Sequence, residues 1–290
     1  MFDLPTYLAA GARWIEDALR RLVPPADTRP ATLHAAIHHS LFAGGKRLRP
    51  ILCAAAAEAC GASREVALFP AAAIECLHTY TLIHDDLPCM DNDDLRRGQP
   101  TCHVVYGQAI ALLAGDALQA LAFELATRTP VATVEIIREL ATAAGSTGVV
   151  GGQVEDIQGE RLPPDADRLR YIQQHKTGDL IICACRMGML AAGAPPADLA
   201  AITAYAAAIG EAFQIADDIL NATATPEQLG KAVGTDAARE NTTAVSVYGL
   251  AGARQRLHQL VATATAALAP LPGNTQPLAA LAQHIATRQS

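Results

Sequence analysis

Several aspartates crowd into one stretch of this 290-residue chain, LIHDDLPCMDNDDLRRGQPT at 82–101. An apolar run leads directly into Asp85 and Asp86, and Pro88 then breaks the helix because it lacks an N–H group. We expect the distorted turn to fold Asp91 back towards Asp85. Carboxylates gathered at one point suit Mg²⁺, which in proteins usually shares its coordination shell with substrate phosphates. The alternative interpretation is an acidic, solvated loop, which the adjoining apolar helix disfavours.

A second acidic cluster lies in EAFQIADDILN, residues 211–221. Asp217 and Asn221 are four residues apart and share one helical face, with Gln214 beside them and Asp218 next in the chain. Paired aspartates again end an apolar helix. Two such clusters in one helical chain predict metal ligands that face each other across a central cavity, as in helical bundles.

Short basic segments next to glycines are the third feature. Arginine offers a planar fork to a phosphate and lysine a point charge. Any one of these cations is usually a solvated surface charge, but the set predicts phosphate sites: Lys46, Arg47, Arg49, Arg96, Arg97, Lys176 and Lys231. Together the acids and bases predict Mg²⁺ around one diphosphate and basic residues around a second. A metal that draws electrons from a diphosphate makes it a leaving group, and departure from an allylic carbon leaves a carbocation.

The elements that must position these residues are helices. Apolar residues recur at helical spacing almost throughout, and no strand alternation or βαβ rhythm recurs. The predicted helices are 5–22, 31–43, 48–60, 66–87, 108–128, 131–146, 167–192, 197–221, 250–269 and 276–288. We therefore predict an all-α fold, a single domain spanning 1–290 with long, mostly buried helices.

Composition excludes some functions. The chain is 51% hydrophobic with a net charge of −7, which argues against a nucleic-acid partner. Seven cysteines without metal-type spacing indicate reduced thiols in a cytoplasmic protein. The N-terminal residues predict an amphipathic helix rather than a signal peptide. Charges break the alanine-rich runs before the roughly 18 to 20 residues that a membrane span needs, so we expect no membrane span.

The motifs resemble those of the trans-isoprenyl diphosphate synthases (polyprenyl synthetases), most of all bacterial farnesyl diphosphate synthases. The resemblance covers nearly the whole chain, and its long first motif is highly specific. The matching segments, in order, are GGKRLRP at 44–50, LHTYTLIHDDLPCMDNDDLRRGQPTCH at 77–103, GGQVED at 151–156, HKTGDL at 175–180, FQIADDIL at 213–220 and LGKAVGTD at 229–236.

The resemblance implies a bundle of about ten or more helices around a deep cavity, usually a homodimer, with three Mg²⁺ per active site. The implied metal ligands are Asp85, Asp86, Asp91 and Asp217, with Asp218 beside them, and these five have catalytic roles together with Lys176 and Lys231. The allylic diphosphate is implied to contact Arg96, Lys176, Thr177, Gln214 and Lys231. Isopentenyl diphosphate is implied to contact Lys46, Arg49, His78 and Arg97, with Arg288 closing its site.

The implied reaction condenses isopentenyl diphosphate with dimethylallyl or geranyl diphosphate, giving farnesyl diphosphate and pyrophosphate. The released pyrophosphate is the implied base. The resemblance also implies a chain-length ruler, because the residues four and five before the first motif set the cavity floor. Here these are Thr81 and Tyr80, and an aromatic at Tyr80 fits a C15 product. Tyr80 as an ordinary core aromatic, and a geranyl or geranylgeranyl product, are the alternatives.

The chain departs from the family pattern in two places. Asn221 replaces the last aspartate of the second motif, and Asn241 replaces a lysine. One change removes negative charge and the other positive charge, so we expect a slower or altered enzyme. A binding or regulatory homologue with little activity is the alternative. A class I terpene cyclase would need Ser or Thr at 221 and Glu at 225, where this chain has Asn221 and Thr225.

Overall fold

The computed structural model describes residues 2–159, 162–163, 165–223 and 243–287. These residues fold almost entirely into helices, which confirms the all-α prediction. The helices are α1 Leu4–Leu22, α2 Ala31–Leu41, α3 Leu48–Ala59, α4 Leu68–Asp85, α5 Cys102–Tyr106, α6 Gln108–Thr127, α7 Thr133–Ala144, α8 Val149–Gly159, α9 Ala166–Ile172, α10 Asp179–Ala191, α11 Pro196–Thr223, α12 Ala244–Ala267 and α13 Gln276–Thr287.

Three short elements complete the described chain. A 3₁₀ turn, Arg64–Ala67, leads into α4, and a π-helical turn, Gln173–Gly178, joins α9 to α10. A two-residue strand β1, Leu95–Arg96, pairs antiparallel with β2, Gln99–Pro100. The sequence predicted neither this ribbon nor α5 and α8, and it predicted 167–192 as one uninterrupted helix.

The core has two halves that share α3 and α10. One half is built around α4 and α6, and the other around α11 and α12. Opposite faces of α3 and α10 contribute to both halves, and these two helices pack closely on each other. A Cβ on Gly188 would lie 2.0 Å from the Cys53 carbonyl oxygen, so the close approach requires glycine there. The alanine-rich sequence of α3 serves the same approach.

Helix α4 is the element that places the first acidic motif. Most of its side chains are buried, and it packs against α3, α6 and α10. Its alanine and leucine content favours a helix, and Pro70 lies in its first turn, where a missing N–H costs nothing. The helix ends at Asp85, so the motif emerges from the centre of the bundle.

The prediction that charges break every apolar run before a membrane-spanning length was wrong. Three helical segments are long and apolar enough to cross a membrane by length and composition: Arg64–Asp85, Gln108–Thr127 and Pro196–Thr223. Composition alone does not distinguish a core helix from a span, because both exclude water. Protein buries 67% of the apolar 18-residue stretch within Arg64–Asp85, but only 39% of the corresponding stretch within Gln108–Thr127. The second value leaves α6 with an apolar face that the described residues do not cover.

Candidate active site

The turn after α4 folds the first acidic motif back on itself. The Met90 N–H donates to the Leu87 carbonyl at 2.8 Å, and the Asp91 N–H donates to the Asp85 carbonyl at 2.9 Å. The turn contains Pro88, which cannot continue the helix. The sequence prediction that Asp91 returns to Asp85 is therefore confirmed.

The Asp85 carboxyl lies in an environment that favours a bound cation. Burial raises its pKa to about 6; Lys176 opposes that rise, and Asp91 adds to it. A carboxyl group whose pKa is raised by a neighbouring carboxylate gains from a cation bound between the two. Within the described ranges no group of three or more His, Cys, Asp or Glu side chains is assembled for a metal. Mg²⁺ usually takes only one or two carboxylates and completes its shell with water and substrate phosphates, so Asp85 and Asp91 fit it.

Asp86 has a different partner. Its buried carboxylate accepts the Arg96 guanidinium, with Nε at 2.8 Å and Nη2 at 2.6 Å from Oδ1 and Nε at 2.9 Å from Oδ2. The β1–β2 ribbon makes this contact possible, because Arg97 and Gly98 turn the chain with positive φ angles of 54° and 76°. The structure thus pairs Asp86 with Arg96, and the metal role predicted for Asp86 would fall to Oδ2, which accepts one N–H and keeps a second lone pair.

The π-helical turn carries Lys176 and Thr177. The extra residue of a π turn rotates the side chains that follow it relative to a regular helix. The Lys176 ammonium contacts Asp156 Oδ2 at 2.6 Å. Burial lowers the pKa of Lys176, but Asp156, Asp85 and Asp91 together raise it above its usual value. Lys176 is therefore charged and lies near Asp85 and Asp91 of the first acidic motif.

Gly152 in α8 allows the π-helical turn to pack closely against that helix. A Cβ on Gly152 would lie 2.3 Å from the Lys176 backbone nitrogen and 2.8 Å from the His175 carbonyl carbon. Both atoms belong to the backbone, which cannot move aside as a flexible side chain can. The GGQVED motif therefore contributes close backbone packing through Gly152 and a carboxylate partner for Lys176 through Asp156.

A chain of polar contacts leads from the π turn to the second acidic motif. Thr177 Oγ1 donates to Gln214 Oε1 at 3.2 Å, and Gln214 Nε2 donates to Asp218 Oδ1 at 3.3 Å. The Ala244 N–H donates to Asp218 Oδ2 at 2.7 Å, and Gln173 Nε2 lies 3.4 Å from the same oxygen. Asp218 thus holds the first residue of α12 from a buried position, whereas Asp217 and Asn221 are partly exposed.

Three of the four residues predicted for isopentenyl diphosphate, Arg49, His78 and Arg97, lie close to one another. Arg49 Nη1 lies 3.1 Å from His78 Nε2. A guanidinium only donates, so Nε2 accepts and the imidazole proton resides on Nδ1. Burial, and then Arg49 and Arg97, hold the pKa of His78 well below its usual value, so the ring is neutral. Arg97 donates to the Gly44 carbonyl, and Lys46 lies on the rim of a mostly apolar cavity of about 350 Å³ between α1, α11 and α13.

Two polar atoms of this cluster are buried without a hydrogen-bond partner among the described residues: Arg49 Nε and His78 Nδ1. Buried donors are nearly always paired, so each orphan calls for an explanation, such as a ligand or water that completes the site. Arg49 remains charged near neutral pH, since burial lowers its pKa only to about 10.

The residues predicted as a chain-length ruler occupy different environments. Tyr80 is buried in the half of the core around α4 and α6, and its ring meets His84 edge-on with centroids 5.5 Å apart. Thr81 is less buried, and its hydroxyl donates to the His78 carbonyl at 2.8 Å. Tyr80 is thus placed as a core aromatic five residues before Asp85, an arrangement that both interpretations of it allow.

Three predicted positions, Lys231, Asn241 and Arg288, lie outside the described residues. The prediction of Arg47 as a phosphate cation was wrong, because its guanidinium is fully buried and pairs with Glu75 and Glu16. Conversely, the sequence indicated no role for three residues that the structure places at the site. Asp156 stood inside a quoted motif, and Glu75 was a single charge inside an apolar run, which was the available signal. Gln173 carried no signal, because its contact with Asp218 depends on the π turn.

The sequence is similar to known proteins over nearly its whole length. The polyprenyl synthetase family model matches residues 30–270. The chain is 42% identical over 299 residues to geranylgeranyl pyrophosphate synthase 9, chloroplastic, of Arabidopsis thaliana, covering 100% of this chain and 82% of the relative. It is 41% identical over 295 residues to the geranylgeranyl diphosphate synthase of Cyanophora paradoxa, covering 100% and 98%.

Two solved structures have a similar fold over nearly the whole chain. An FPP/GFPP synthase from Zymomonas mobilis has a TM-score of 0.84 at 38% identity, covering 98% of each chain. A geranylgeranyl pyrophosphate synthetase from Pyrococcus horikoshii has a TM-score of 0.90 at 27% identity, again covering 98% of each chain. The chain therefore belongs to the polyprenyl synthetase family, prenyltransferases that generally use Mg²⁺ to condense isopentenyl and allylic diphosphates head to tail.

Proposed function

We propose that this protein condenses isopentenyl diphosphate with dimethylallyl and geranyl diphosphate to give farnesyl diphosphate and pyrophosphate. One observation carries the proposal. His78 and Asp85 are seven residues apart on α4, so they lie on one helical face about 10 Å apart. One end of that face holds acids suited to a metal-bound diphosphate, and the other holds cations suited to a metal-free diphosphate. Two diphosphates side by side are the substrates of a head-to-tail prenyl transfer.

The residues around each diphosphate have separable tasks. Asp85, Asp91 and Asp217 would hold Mg²⁺, up to three ions by the family resemblance, and Mg²⁺ would supply charge that makes the allylic diphosphate a better leaving group. Lys176 and Arg96 orient that diphosphate, with Thr177, Gln214 and Lys231 as further contacts. Lys46, Arg49 and Arg97 orient isopentenyl diphosphate, beside the neutral His78.

The bonds then follow from the placement of the two substrates. The allylic C–O bond breaks with its electron pair leaving on the diphosphate. The π electrons of the isopentenyl double bond form the new C–C bond, and a proton is lost to the released pyrophosphate. His78 is no candidate for this base, because its Nε2 already accepts from Arg49. The chain's part in the reaction is positioning and charge, in a site placed among apolar helices.

The C15 product rests on Tyr80, whose buried ring stands one and a half helical turns before Asp85. A C20 product is the second candidate, because the similar proteins from Arabidopsis thaliana and Cyanophora paradoxa are named for geranylgeranyl diphosphate. We also propose a cytoplasmic location, since five of the seven cysteines are buried free thiols, which suit a reducing compartment.

The test incubates pure protein with Mg²⁺, isopentenyl diphosphate and, separately, the C5, C10 and C15 allylic diphosphates, and identifies products by mass. We expect a C15 product that disappears with EDTA and falls at least about 100-fold in the Asp85→Asn variant, as for loss of a group that stabilises developing charge. A C20 product from the wild type would favour the second candidate. No product, with Mg²⁺-dependent diphosphate binding intact, would instead indicate a binding or regulatory homologue.

The Tyr80→Ala variant tests the ruler directly. If the ring limits the growing chain, its removal opens space and the product lengthens beyond C15. Tyr106→Ala is the matched control, because it removes a tyrosine packed against the same half of the core, on α5, that is not a predicted ruler residue. A stable Tyr80→Ala variant with an unchanged C15 product would show that Tyr80 is only a core residue.

A further inference from the structure

A buried guanidinium stands directly behind the isopentenyl cations. Arg47 lies between Lys46 and Arg49, at the residue before α3, and its side chain is 0% exposed. Its backbone is left-handed, with φ 48° and ψ 36°. Residues other than glycine seldom adopt that region, and they persist there only when surrounding contacts hold them. The conformation of this segment is therefore imposed by what Arg47 bonds.

Those bonds reach three parts of the chain. Arg47 Nη1 donates to Glu75 Oε1 on α4 at 2.7 Å, and Nη2 donates to the Leu41 carbonyl at the end of α2 at 2.6 Å. Nε and Nη2 also donate to Glu16 Oε1 on α1, at 3.3 and 3.2 Å. One planar fork thus ties three helices to the start of a fourth. A lysine could not satisfy these directions at once.

Glu75 serves more than one arginine. It precedes His78 by one turn of α4, and its side chain is only 3% exposed. Burial lowers the pKa values of both Arg49 and Arg97, and Glu75 is the first charge that raises them again. Glu75 thus bonds Arg47 and electrostatically attracts Arg49 and Arg97. Its buried carboxylate offsets part of the mutual repulsion of the three arginines before any diphosphate binds.

Stability alone does not explain this pair. A buried ion pair contributes little more than well-packed apolar residues of the same size, because removing both charges from water is costly. What the pair provides is a fixed position: it sets the register of the Lys46–Arg49 segment against α4. The same helix presents His78 to Arg49, so Glu75 and His78 hold alternate arginines of one segment.

We propose that Arg47 and Glu75 are positioning residues of the isopentenyl diphosphate subsite, an inference that rests on the proposed function. Their buried ion pair fixes the backbone that carries Lys46 and Arg49 and that places Arg49 beside His78. Neither residue contacts the substrate, and the effect is specific to the metal-free diphosphate. The allylic subsite depends instead on Lys176, Arg96 and the acidic motifs.

The test replaces Arg47 by lysine, which keeps the charge and loses the fork. We expect the KM for isopentenyl diphosphate to rise about 10-fold or more, since a misplacement of about 1 Å can cost about 100-fold. The KM for the allylic diphosphate and kcat at saturation should stay within about 3-fold. Calorimetric titration with isopentenyl diphosphate should show the same loss of affinity. Unchanged isopentenyl KM, or equal damage to all three parameters, would overturn the proposal.

The control is Arg186→Lys. Arg186 makes a similar fork, to Glu139 at 2.8 and 2.6 Å and to Thr203 at 2.7 Å, and joins helices α7, α10 and α11. None of these residues is a predicted site residue. Arg186→Lys should lower the melting temperature and leave the isopentenyl KM unchanged. A selective rise in that KM in Arg186→Lys would contradict a local positioning role for Arg47.

A third variant keeps the test decisive if Arg47→Lys does not fold. Glu16 is 34% exposed and makes only the longer contacts with Arg47, so Glu16→Gln should fold and loosen the same fork. We expect a smaller but selective rise in the isopentenyl KM, and its absence would overturn the proposal. Wild-type turnover is measured first. If the wild type shows no turnover, the proposed function is wrong. If the wild type is active and the variants keep a normal isopentenyl KM, only the positioning role of Arg47 and Glu75 is wrong.

Discussion

At the scale of single residues, His78 shows how the site sets a protonation state. The residue is half-buried, and its Nδ1 atom is cut off from solvent. Burial, and after it the charges of four arginines, hold the pKa of His78 well below its usual value; these are Arg49, Arg97, Arg96 and Arg47. Its Nε2 accepts from Arg49, a bond that a protonated imidazole could not accept. A neutral His78 lets Arg49 keep its full charge for a diphosphate.

This protonation state predicts a pH dependence of stability. In the unfolded chain His78 takes up a proton near pH 6.5, whereas the folded protein does not. The unfolded state therefore binds more protons as the pH falls below about 6.5, and His78 lowers the free energy of unfolding there by up to about 1.4 kcal/mol per pH unit. Above that pH both states are neutral and His78 adds no slope.

We expect His78→Gln to flatten the pH dependence between about pH 6.5 and 5, because glutamine keeps an acceptor for Arg49 and does not titrate. Urea denaturation at pH 7, 6 and 5 measures the difference. His258→Gln, at an exposed position on α12, is the control and should follow the wild type. Parallel curves for wild type and His78→Gln would show that His78 is protonated equally in both states.

At the scale of elements, what the sequence could predict depended on local signals. The run 66–87 is apolar and alanine-rich, and it forms α4 with its 3₁₀ lead. The run 167–192 was predicted as one helix, since a π turn comes from packing against α8 and leaves no periodic signature. Helix α8 itself was missed because glycines at 151 and 152 lower helix propensity. Tertiary contacts, rather than local sequence, therefore determine the π-helical turn and α8.

The same contact makes Gly152 a sensitive position. Alanine there would put a Cβ 2.3 Å from the Lys176 nitrogen, so α8 and the π turn must separate. We expect a loss of about 1–3 kcal/mol in stability, as for other overpacked sites, and at least about 10-fold in kcat/KM for the allylic substrate because Lys176 moves. Thermal melts and steady-state kinetics measure the two effects.

The matched control for Gly152 is Gly252, also within a helix. A Cβ there would approach only the Tyr248 Cβ, at 3.2 Å. Gly252→Ala should therefore fold normally, keep its allylic kinetics and change stability by less than Gly152→Ala does. If Gly152→Ala behaved like this control, close packing of α8 on the π turn would not determine the position of Lys176.

At the scale of the whole molecule, exposed apolar residues are unevenly spread over the described chain. Many of the large ones fall on consecutive elements between 104 and 157, which we call the α5–α8 apolar face: Val104, Val105, Leu112, Leu113, Val131, Val134, Val150, Val154 and Ile157. Helices α6 and α7 pack on each other, as do α7 and α8, so these positions belong to neighbouring elements. Large contiguous apolar patches on soluble proteins usually mark an interface.

We propose that a second copy of the chain covers the α5–α8 apolar face; the family resemblance implies a homodimer. Leu113 is 51% exposed on α6, and a charge there would be buried at such an interface. Sedimentation of the wild type should give twice the 30.3 kDa chain mass, and Leu113→Asp should shift it towards the monomer. Val66→Asp, exposed outside this face, should remain dimeric. A monomeric wild type, or one extracted only with detergent, would assign the α5–α8 apolar face to another partner or to lipid.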